Sequence, residues 1–391
     1  MGGRVLFYVQ HLLGVGHLKR ASLIAKAMAS AGLDVSVVLG GTEVAGIGFD
    51  GCSRVLLPAV RAADETFRRL IDDSGKPLDA ELKDRRTHQL LAAFEAFNPD
   101  VLLIEQFPFG RRQFRFELMP LLEAARCRAS RPLIVSSIRD VLVRKADPAR
   151  ITEMIRIAEV CFDRILVHGD PRLLPLEASF PECAALARKI IYTGYVVDGG
   201  AACGTADTAS GGDEVIVTAG GGAVGETLLR TALAARPLSS LADRAWRLIT
   251  GPNLPDRVFE DIAWNCPPGV IVERWRDDLP ALFRNCRLVI AQAGYNTVMD
   301  ILTTGARAVV VPFSTPTETE QTLRAAALAA RGALIHVEAA DLSPNLLAAA
   351  CDEALTKPPN IVDVDCGGAE QTARIVARMH AMLTDRPLDR A

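Results

Sequence analysis

Long apolar runs are missing from this sequence of 391 residues, and so is any excess of one charge: 44 Lys and Arg stand against 47 Asp and Glu, a net charge of −3. A helix needs about 20 consecutive apolar residues to cross a bilayer, so no membrane span is expected. The balanced charge argues against the basic field with which proteins hold nucleic acid. Nine scattered cysteines form no Cys-x-x-Cys pair. That excludes zinc spacing, and the odd count points to reduced thiols rather than a disulfide framework. No basic and apolar leader precedes the first strand at Arg4 to Val9, so a cytoplasmic protein is expected.

What is present is a repeated alternation of short apolar runs, glycine turns and helical periodicity. The 49% hydrophobic content over this length suits two α/β domains of ordinary size. The first strand runs into Gln10-His-Leu-Leu-Gly-Val-Gly-His17, where Gly14 and Gly16 let backbone approach a ligand closely. A dinucleotide fingerprint would need a third glycine where Lys19 stands, and an acidic residue where the second strand, Val35 to Leu39, ends in Gly40-Gly41-Thr42. Neither is there, so a nicotinamide or flavin site is not expected. His17, at the carboxyl side of the first strand, is the residue type best suited to take a proton near neutral pH. The alternative is that it only orients the loop.

Further buried strands are expected at Ser53 to Leu57, Val101 to Ile104, Leu133 to Ser136 and Arg164 to Val167, with a polar helical region from Ala62 to Arg86. The third of these ends in Ser137-Ile-Arg139-Asp140. Glu105 opens the loop Glu105-Gln-Phe-Pro-Phe-Gly-Arg111-Arg112-Gln-Phe-Arg-Phe116. This basic aromatic cluster can pack inward as a helix start, grip an anionic acceptor, or lie on a membrane surface. From Asp198 to Asp213 the chain is rich in Gly, Ala, Ser and Thr without periodicity, as a flexible linker would be.

The second half repeats the first. Val215 to Thr218 enters Gly220-Gly221-Gly222, and Leu288 to Ala291 breaks at Ala293-Gly294 before a helix that Asn296 or Thr297 caps and Gly305 stops. Backbone amides and the helix dipole make such turns anion sites. Asp300, one turn into the helix, can accept from sugar hydroxyls. Trp275, directly after the Val270 to Glu273 run, can stack on a base or simply pack. Glu320 and Gln321 offer partners to a sugar.

Trp275-x-Asp-Asp-Leu, Ala293-Gly-x-x-Thr297-x-x-Asp300, Gly305, Pro312 and Glu320-Gln321 together resemble the donor half of the GT-B glycosyltransferases, and most of all the MurG-like family with its family 28 C-terminal domain. The resemblance implies an α/β protein of two Rossmann-like domains facing across a cleft: residues 1–197 for the acceptor, a linker at 198–213, residues 214–368 for a nucleotide-sugar donor, and a last helix at 369–384 that returns to the first domain. It places the base near Trp275 and Arg276, the diphosphate on Gly221, Gly222, Gly294 and Thr297, the ribose on Asp300 and the donor sugar on Glu320 and Gln321, with Gly220, Ala293 and Asn296 also expected to bind the donor. On the acceptor side the resemblance rests on Gly14, Gly16 and His17, with His17 near the acceptor and expected as the catalytic residue; Glu105, Arg111, Arg112, Arg139 and Asp140, at the neighbouring strand ends, are expected to join it.

The implied reaction is inverting transfer from a nucleotide-diphosphate sugar, a UDP-sugar in the family, to a hydroxyl acceptor. Neither glycine-rich loop has an Asp-x-Asp or a carboxylate cluster, so no metal or other cofactor is expected. A lipid-linked acceptor and a peripheral contact with the inner face of the membrane stay open. So do a nucleotide-sugar hydrolase, a 2-epimerase, and a binding protein without catalysis. Asp300 stands where the family usually carries Glu, and Glu320 where MurG itself carries Gln, so the donor sugar does not carry over.

Overall fold

A computed structural model describes residues 2–12, 16–63, 69–143, 147–198, 212–220, 225–313, 319–358 and 363–384. Gly14, Gly221, Gly222 and most of the 198–213 linker lie outside the described residues. The chain divides into two compact units, Met1–Val196 with Gly367–Ala391, and Val197–Cys366.

The first unit is built on β1 (Arg4–Val9), β2 (Asp34–Leu39), β3 (Ser53–Leu56), β6 (Val101–Glu105), β7 (Leu133–Arg139), β8 (Arg164–His168) and β9 (Ile190–Tyr192). These form one parallel sheet in the order β3-β2-β1-β6-β7-β8-β9. Side chains alternate across it and both faces are covered, which is why the strands read as continuous apolar runs. Leu6 and Tyr8 point to the core under α2 (Ala80–Phe97) and α3 (Arg115–Cys127), whereas Val5, Phe7 and Val9 point to the core under α1 (Gly16–Ser30). The C-terminal helix α11 (Gly368–Thr384) packs on α1, placing Ala369, Ala373 and Val376 beside Leu18, Ala25 and Met28. Its entry requires glycine, since a Cβ on Gly368 would lie 2.4 Å from the carbonyl oxygen of Gly194. Helix α4 (Pro148–Cys161) covers the β8 side, with Met154 and Ala158 packed near Ile165 and Val167.

The expected helical region from Ala62 to Arg86 is corrected. Its first part is an antiparallel hairpin of β4 (Val60–Ala62) and β5 (Leu70–Asp72), and α2 starts only at Ala80. After β5, Asp72 accepts from the Lys76 amide and the Ser74 hydroxyl around Gly75, a turn that ends any helix there.

The second unit carries β10 (Val215–Thr218), β11 (Trp246–Ile249), β12 (Val270–Glu273), β13 (Leu288–Ala291), β14 (Ala308–Val310) and β15 (Ile335–His336), ordered β12-β11-β10-β13-β14-β15 and parallel. Connecting helices are α5 (Glu226–Ala235), α6 (Asp256–Asn265), α7 (Leu279–Asn285), α8 (Tyr295–Thr304), α9 (Glu320–Ala329) and α10 (Pro344–Thr356). In both sheets the strand order reverses beside the first strand of the unit. Ligands of open α/β sheets bind at the carboxyl ends of the strands at such reversals. The two places are the ends of β1 and β6, and of β10 and β13.

Candidate functional site

At the first reversal the chain leaves β1, and Gly16 and His17 form the first turn of α1, while β6 ends at Glu105. His17 Nδ1 lies 2.8 Å from Glu105 Oε1, and Arg20, one helical turn further along α1, donates from Nη2 to the same oxygen at 2.8 Å. Arg111 closes the other side, 3.7 Å from Glu105 Oε2, and fixes itself by donating from Nε to the carbonyl of Gln10 at 2.6 Å. Glu105 is buried. Burial opposes its ionisation, yet His17, Arg111 and Arg20 hold the carboxyl at about 2. Burial lowers His17 to about 4 against the pull of Glu105. At neutral pH the pair is thus a carboxylate beside a neutral imidazole. A carboxylate takes the Nδ1 proton, so the hydrogen-bond network assigns the tautomer that leaves Nε2 with its lone pair.

Arg139 ends β7 and Asp140 follows it, and the charge of Arg139 reaches Arg111, whose own value burial lowers. Asp140 is fully buried and is the reason for Gly169, where a Cβ would meet the Asp140 Cβ at 2.7 Å. Arg112 does not join this group. It turns away to Glu153 on α4, 3.5 Å off, because consecutive residues at a helix start leave on different sides. The phenylalanines of the basic cluster are core residues: Phe107, Phe109 and Phe114 are buried and Phe116 packs on the core under α2 and α3. The membrane-inserting alternative for them is thereby corrected, since their rings already have apolar partners.

At the second reversal β10 and β13 end level, Thr218 opposite Ala291. Gly220 takes φ +69 and a Cβ there would be 3.7 Å from Thr297 Oγ1, so the two glycine turns lie side by side. The expected cap at Asn296 or Thr297 is corrected: Gly294, with φ −60 and ψ 144, precedes α8 and no side chain caps it. Asn296 and Thr297 occupy the first turn, whose amides lack intrahelical acceptors. Gly305, at φ 71, ends the helix as expected. Asp300 is half-buried on α8.

Trp275 is 65% exposed, which removes the packing alternative. Arg276 is held by both oxygens of Asp278 at 2.7 Å and by Glu273, which raise its pKa further, the Asp278 bond foremost. Gln321 accepts from the Phe313 amide at 3.0 Å. Glu320 pairs with Arg324 at 2.8 Å.

Residues 215–376 match the model of the glycosyltransferase family 28 C-terminal domain. Across 96% of this chain and 100% of the other, MurG of Acinetobacter baumannii superposes with a TM-score of 0.59 at 15% identity. The fold is that of the GT-B glycosyltransferases, and the second unit carries the family 28 match.

The glycotransferase of kitacinnamycin superposes on this chain with a TM-score of 0.63 at 16% identity, over 98% and 99% of the two chains. A stretch of 85 residues is 39% identical to the UDP-N-acetylglucosamine--N-acetylmuramyl-(pentapeptide) pyrophosphoryl-undecaprenol N-acetylglucosamine transferase of Brucella canis, and it spans 22% of each chain. Among the described residues no helix is long and apolar enough to cross a membrane, and no cluster of His, Cys, Asp and Glu could hold a metal.

Two buried arginines carry no motif yet reach the two sites, Arg20 the carboxylate of Glu105 and Arg324 the turn before α8. Arg20 is the second donor to Glu105. Fully buried Arg324 donates to the carbonyl of Ala293 at 3.2 Å and lies 5.3 Å from the centre of the Tyr295 ring. The only signal in the sequence is spacing: Arg20 follows His17 by three residues and Arg324 follows Glu320 by four, both neighbours on one helix face.

Proposed function

We propose that this protein is an inverting glycosyltransferase that moves a sugar from a nucleotide-diphosphate sugar to a hydroxyl acceptor. The observation that carries the reading is the His17–Glu105 pair at the strand-order reversal of the first unit. His17 Nε2 takes the acceptor proton while the acceptor oxygen bonds to the anomeric carbon. The bond from that carbon to the diphosphate breaks, and the electron pair leaves with the nucleoside diphosphate. Glu105 keeps the imidazole in the tautomer that accepts and stabilises it once charged.

The second unit supplies the leaving-group site. The α8 dipole and its first-turn amides, with Gly220 and Thr297 beside them, offset the charge that develops on the diphosphate. Gly221 and Gly222, next in sequence to Gly220, are assigned to the same diphosphate. Asp300 receives the ribose hydroxyls, Trp275 stacks on the base, and Gln321 and Glu320 face the donor sugar. With the helix end in that role, the transfer needs no divalent metal.

A UDP-sugar is the donor of first choice, because the Brucella canis relative is named for UDP-N-acetylglucosamine. The structural neighbour VinC was solved with dTDP, which makes a thymidine nucleotide the competitor. The same relative is named for an undecaprenol-linked acceptor, which supports a lipid-linked hydroxyl and a protein working at a membrane surface from the cytoplasm.

A thermal-shift screen against UDP, dTDP, GDP and ADP, with and without EDTA, tests the reading. A ligand that binds only the folded chain raises the melting temperature by mass action. A rise with one nucleotide that survives EDTA supports a metal-free donor site. No rise with any of the four overturns the donor assignment.

A further inference from the structure

A buried polar cluster lies beside the end of β1, and no step of the transfer uses it. Tyr8 on β1 and Gln10 just after it, two residues apart, face the same side of the sheet, where α2 brings Arg86 and α3 brings Glu117. All four are fully buried. Arg86 donates from Nε and Nη2 to the two oxygens of Glu117 at 2.9 and 2.7 Å, from Nη1 to the carbonyl of Gly40 at 2.9 Å, and from Nη2 to Gln10 Oε1 at 2.9 Å. The Tyr8 hydroxyl donates to Glu117 Oε1. Gln10 Nε2 donates to the carbonyls of His11 at 2.7 Å and Val60 at 3.0 Å. Gly40 belongs to the same construction: a Cβ there would overlap Gln10 Oε1 and stand 2.6 Å from Arg86 Nη2.

Both polar atoms of the Gln10 side chain are thus committed. An apolar residue would fill this space without the cost of burying an amide, so packing alone does not call for glutamine. What the amide fixes is the main chain. The carbonyl of Gln10 accepts from Arg111 Nε at 2.6 Å, and Arg111 Nη2 lies 3.7 Å from Glu105 Oε2. That carboxylate oxygen makes no hydrogen bond among the described residues, whereas Oε1 meets His17 and Arg20. Arg111 therefore keeps its place by its bond to Gln10 rather than by one to Glu105.

We propose that Gln10 is a positioning residue for His17: clamped by Arg86, it seats the Arg111 charge beside Glu105 and so sets how readily the imidazole takes a proton. The assignment rests on the reading of His17 as the base of the transferase and extends it to residues buried beside the site. The charged groups facing His17 are Glu105 at the end of β6, Arg111 from the loop after it and Arg20 on α1. Burial lowers His17, Glu105 opposes this, and Arg111 and Arg20 lower it further. Displacing Arg111 therefore raises it.

Nitrogen NMR of the full chain, isotope-labelled at its six histidines, reads the charge on His17 with neither donor nor acceptor present. The His17 signal is the one that His17→Gln lacks. With His17 at about 4, about one molecule in ten carries the charge at pH 5. Arg111→Met is expected to raise the midpoint by about one pH unit, so that about half are charged there. Gln10→Met should do the same, and the double variant should go no further, because the two residues act along one path. Arg86→Lys keeps a cation for Glu117 but lacks the fork that also reaches Gln10. It should move His17 the same way, and it replaces Gln10→Met if that variant does not fold. Lost stability alone does not move the midpoint of folded molecules, so the readout separates positioning from packing.

The proposal is overturned if Gln10→Met and Arg86→Lys leave His17 at the parent value, or if the Gln10 and Arg111 shifts add in the double variant. The nucleotide thermal shift is recorded on the same samples, since it reports the donor site. If it is intact in either of those cases, the transferase reading stands without this role for Gln10. If Gln10→Met and Arg111→Met move His17 together while no nucleotide raises the melting temperature, the hold on His17 stands and the transferase reading fails.

Discussion

Arg324 Nη1 donates to the carbonyl oxygen of Ala293 across 3.2 Å, so the second turn of α9 holds the turn that opens α8. Glu320 completes the arrangement from one helical turn before Arg324. Removing the guanidinium leaves a buried carboxylate without this cation, which costs about 3 kcal/mol or more. Arg324→Ala should therefore lower the urea midpoint and raise the donor KM about tenfold. The double variant Glu320→Leu with Arg324→Met separates the two effects. It should regain most of the stability, because an apolar pair replaces a buried ion pair, but not the donor KM. If donor KM recovers with stability, Arg324 does not position the turn.

His17 and Glu105 should differ in how much they matter. A positioned general base contributes about 10²–10⁴ in rate, so His17→Ala should lose that much kcat while the donor KM holds within about twofold. Glu105→Gln keeps the side-chain shape but loses the charge that orients and stabilises the imidazole, and about a tenfold loss is expected. An unchanged kcat in His17→Ala would leave His17 as an orienting residue only. The pH profile adds a second check. With His17 held at about 4, kcat should stay level from pH 8 down to about 5. An unperturbed imidazole would begin to lose activity near pH 6.5.

The strands of the two parallel sheets were legible because each rests on local pattern, whereas the return of the last helix came only from the family resemblance. Apolar runs such as Leu288–Ala291 are long enough for buried strands and too short for helices. Other features depend on what lies opposite in space. Arg111 and Arg112 are neighbours of the same type, and only the fold turns one to Glu105 and the other to Glu153. The α8 cap was misplaced because side-chain oxygens signal a cap in sequence, whereas here Gly294 provides it by backbone angle alone. The β4–β5 hairpin was hidden for a related reason: each strand has only three residues, fewer than alternation can reveal. Arg20 and Arg324 drew no expectation from the sequence, since a buried arginine is recognised only by the acceptors around it.

Stability should fall on mild acidification. His168 is buried between the Ser137 and Thr193 hydroxyls at 2.7 and 2.8 Å, and burial lowers it to about 3. His17 is lowered to about 4. An unfolded chain takes up both protons near pH 6.5. Between that value and the folded pKa values the unfolded state binds more protons, so stability is fully present above about pH 6.5 and declines as pH is lowered. At pH 5 each histidine has withdrawn about 2 kcal/mol relative to pH 7.5. Urea unfolding at the two pH values measures the sum. His168→Gln, which keeps hydrogen bonding without titrating, should shrink the pH-dependent loss by about 2 kcal/mol. An unaltered loss would show that His168 does not contribute.

Trp275 gives the cleanest separation of binding from folding. Its ring is 65% exposed directly after β12, so Trp275→Ala removes little buried area and should leave the urea midpoint within about 0.5 kcal/mol of the parent. Stacking of a base on an aromatic ring is worth about 1–3 kcal/mol, so nucleotide affinity should fall about tenfold in the same variant. Phe at this position should restore most of it and Leu should not, because Leu supplies apolar area without a π face. Isothermal titration with the nucleotide that shifts the melting temperature distinguishes these outcomes. Equal affinity in the Ala variant and the parent would move the base away from Trp275 and leave Arg276, already held by Asp278 and Glu273, with no role in its recognition.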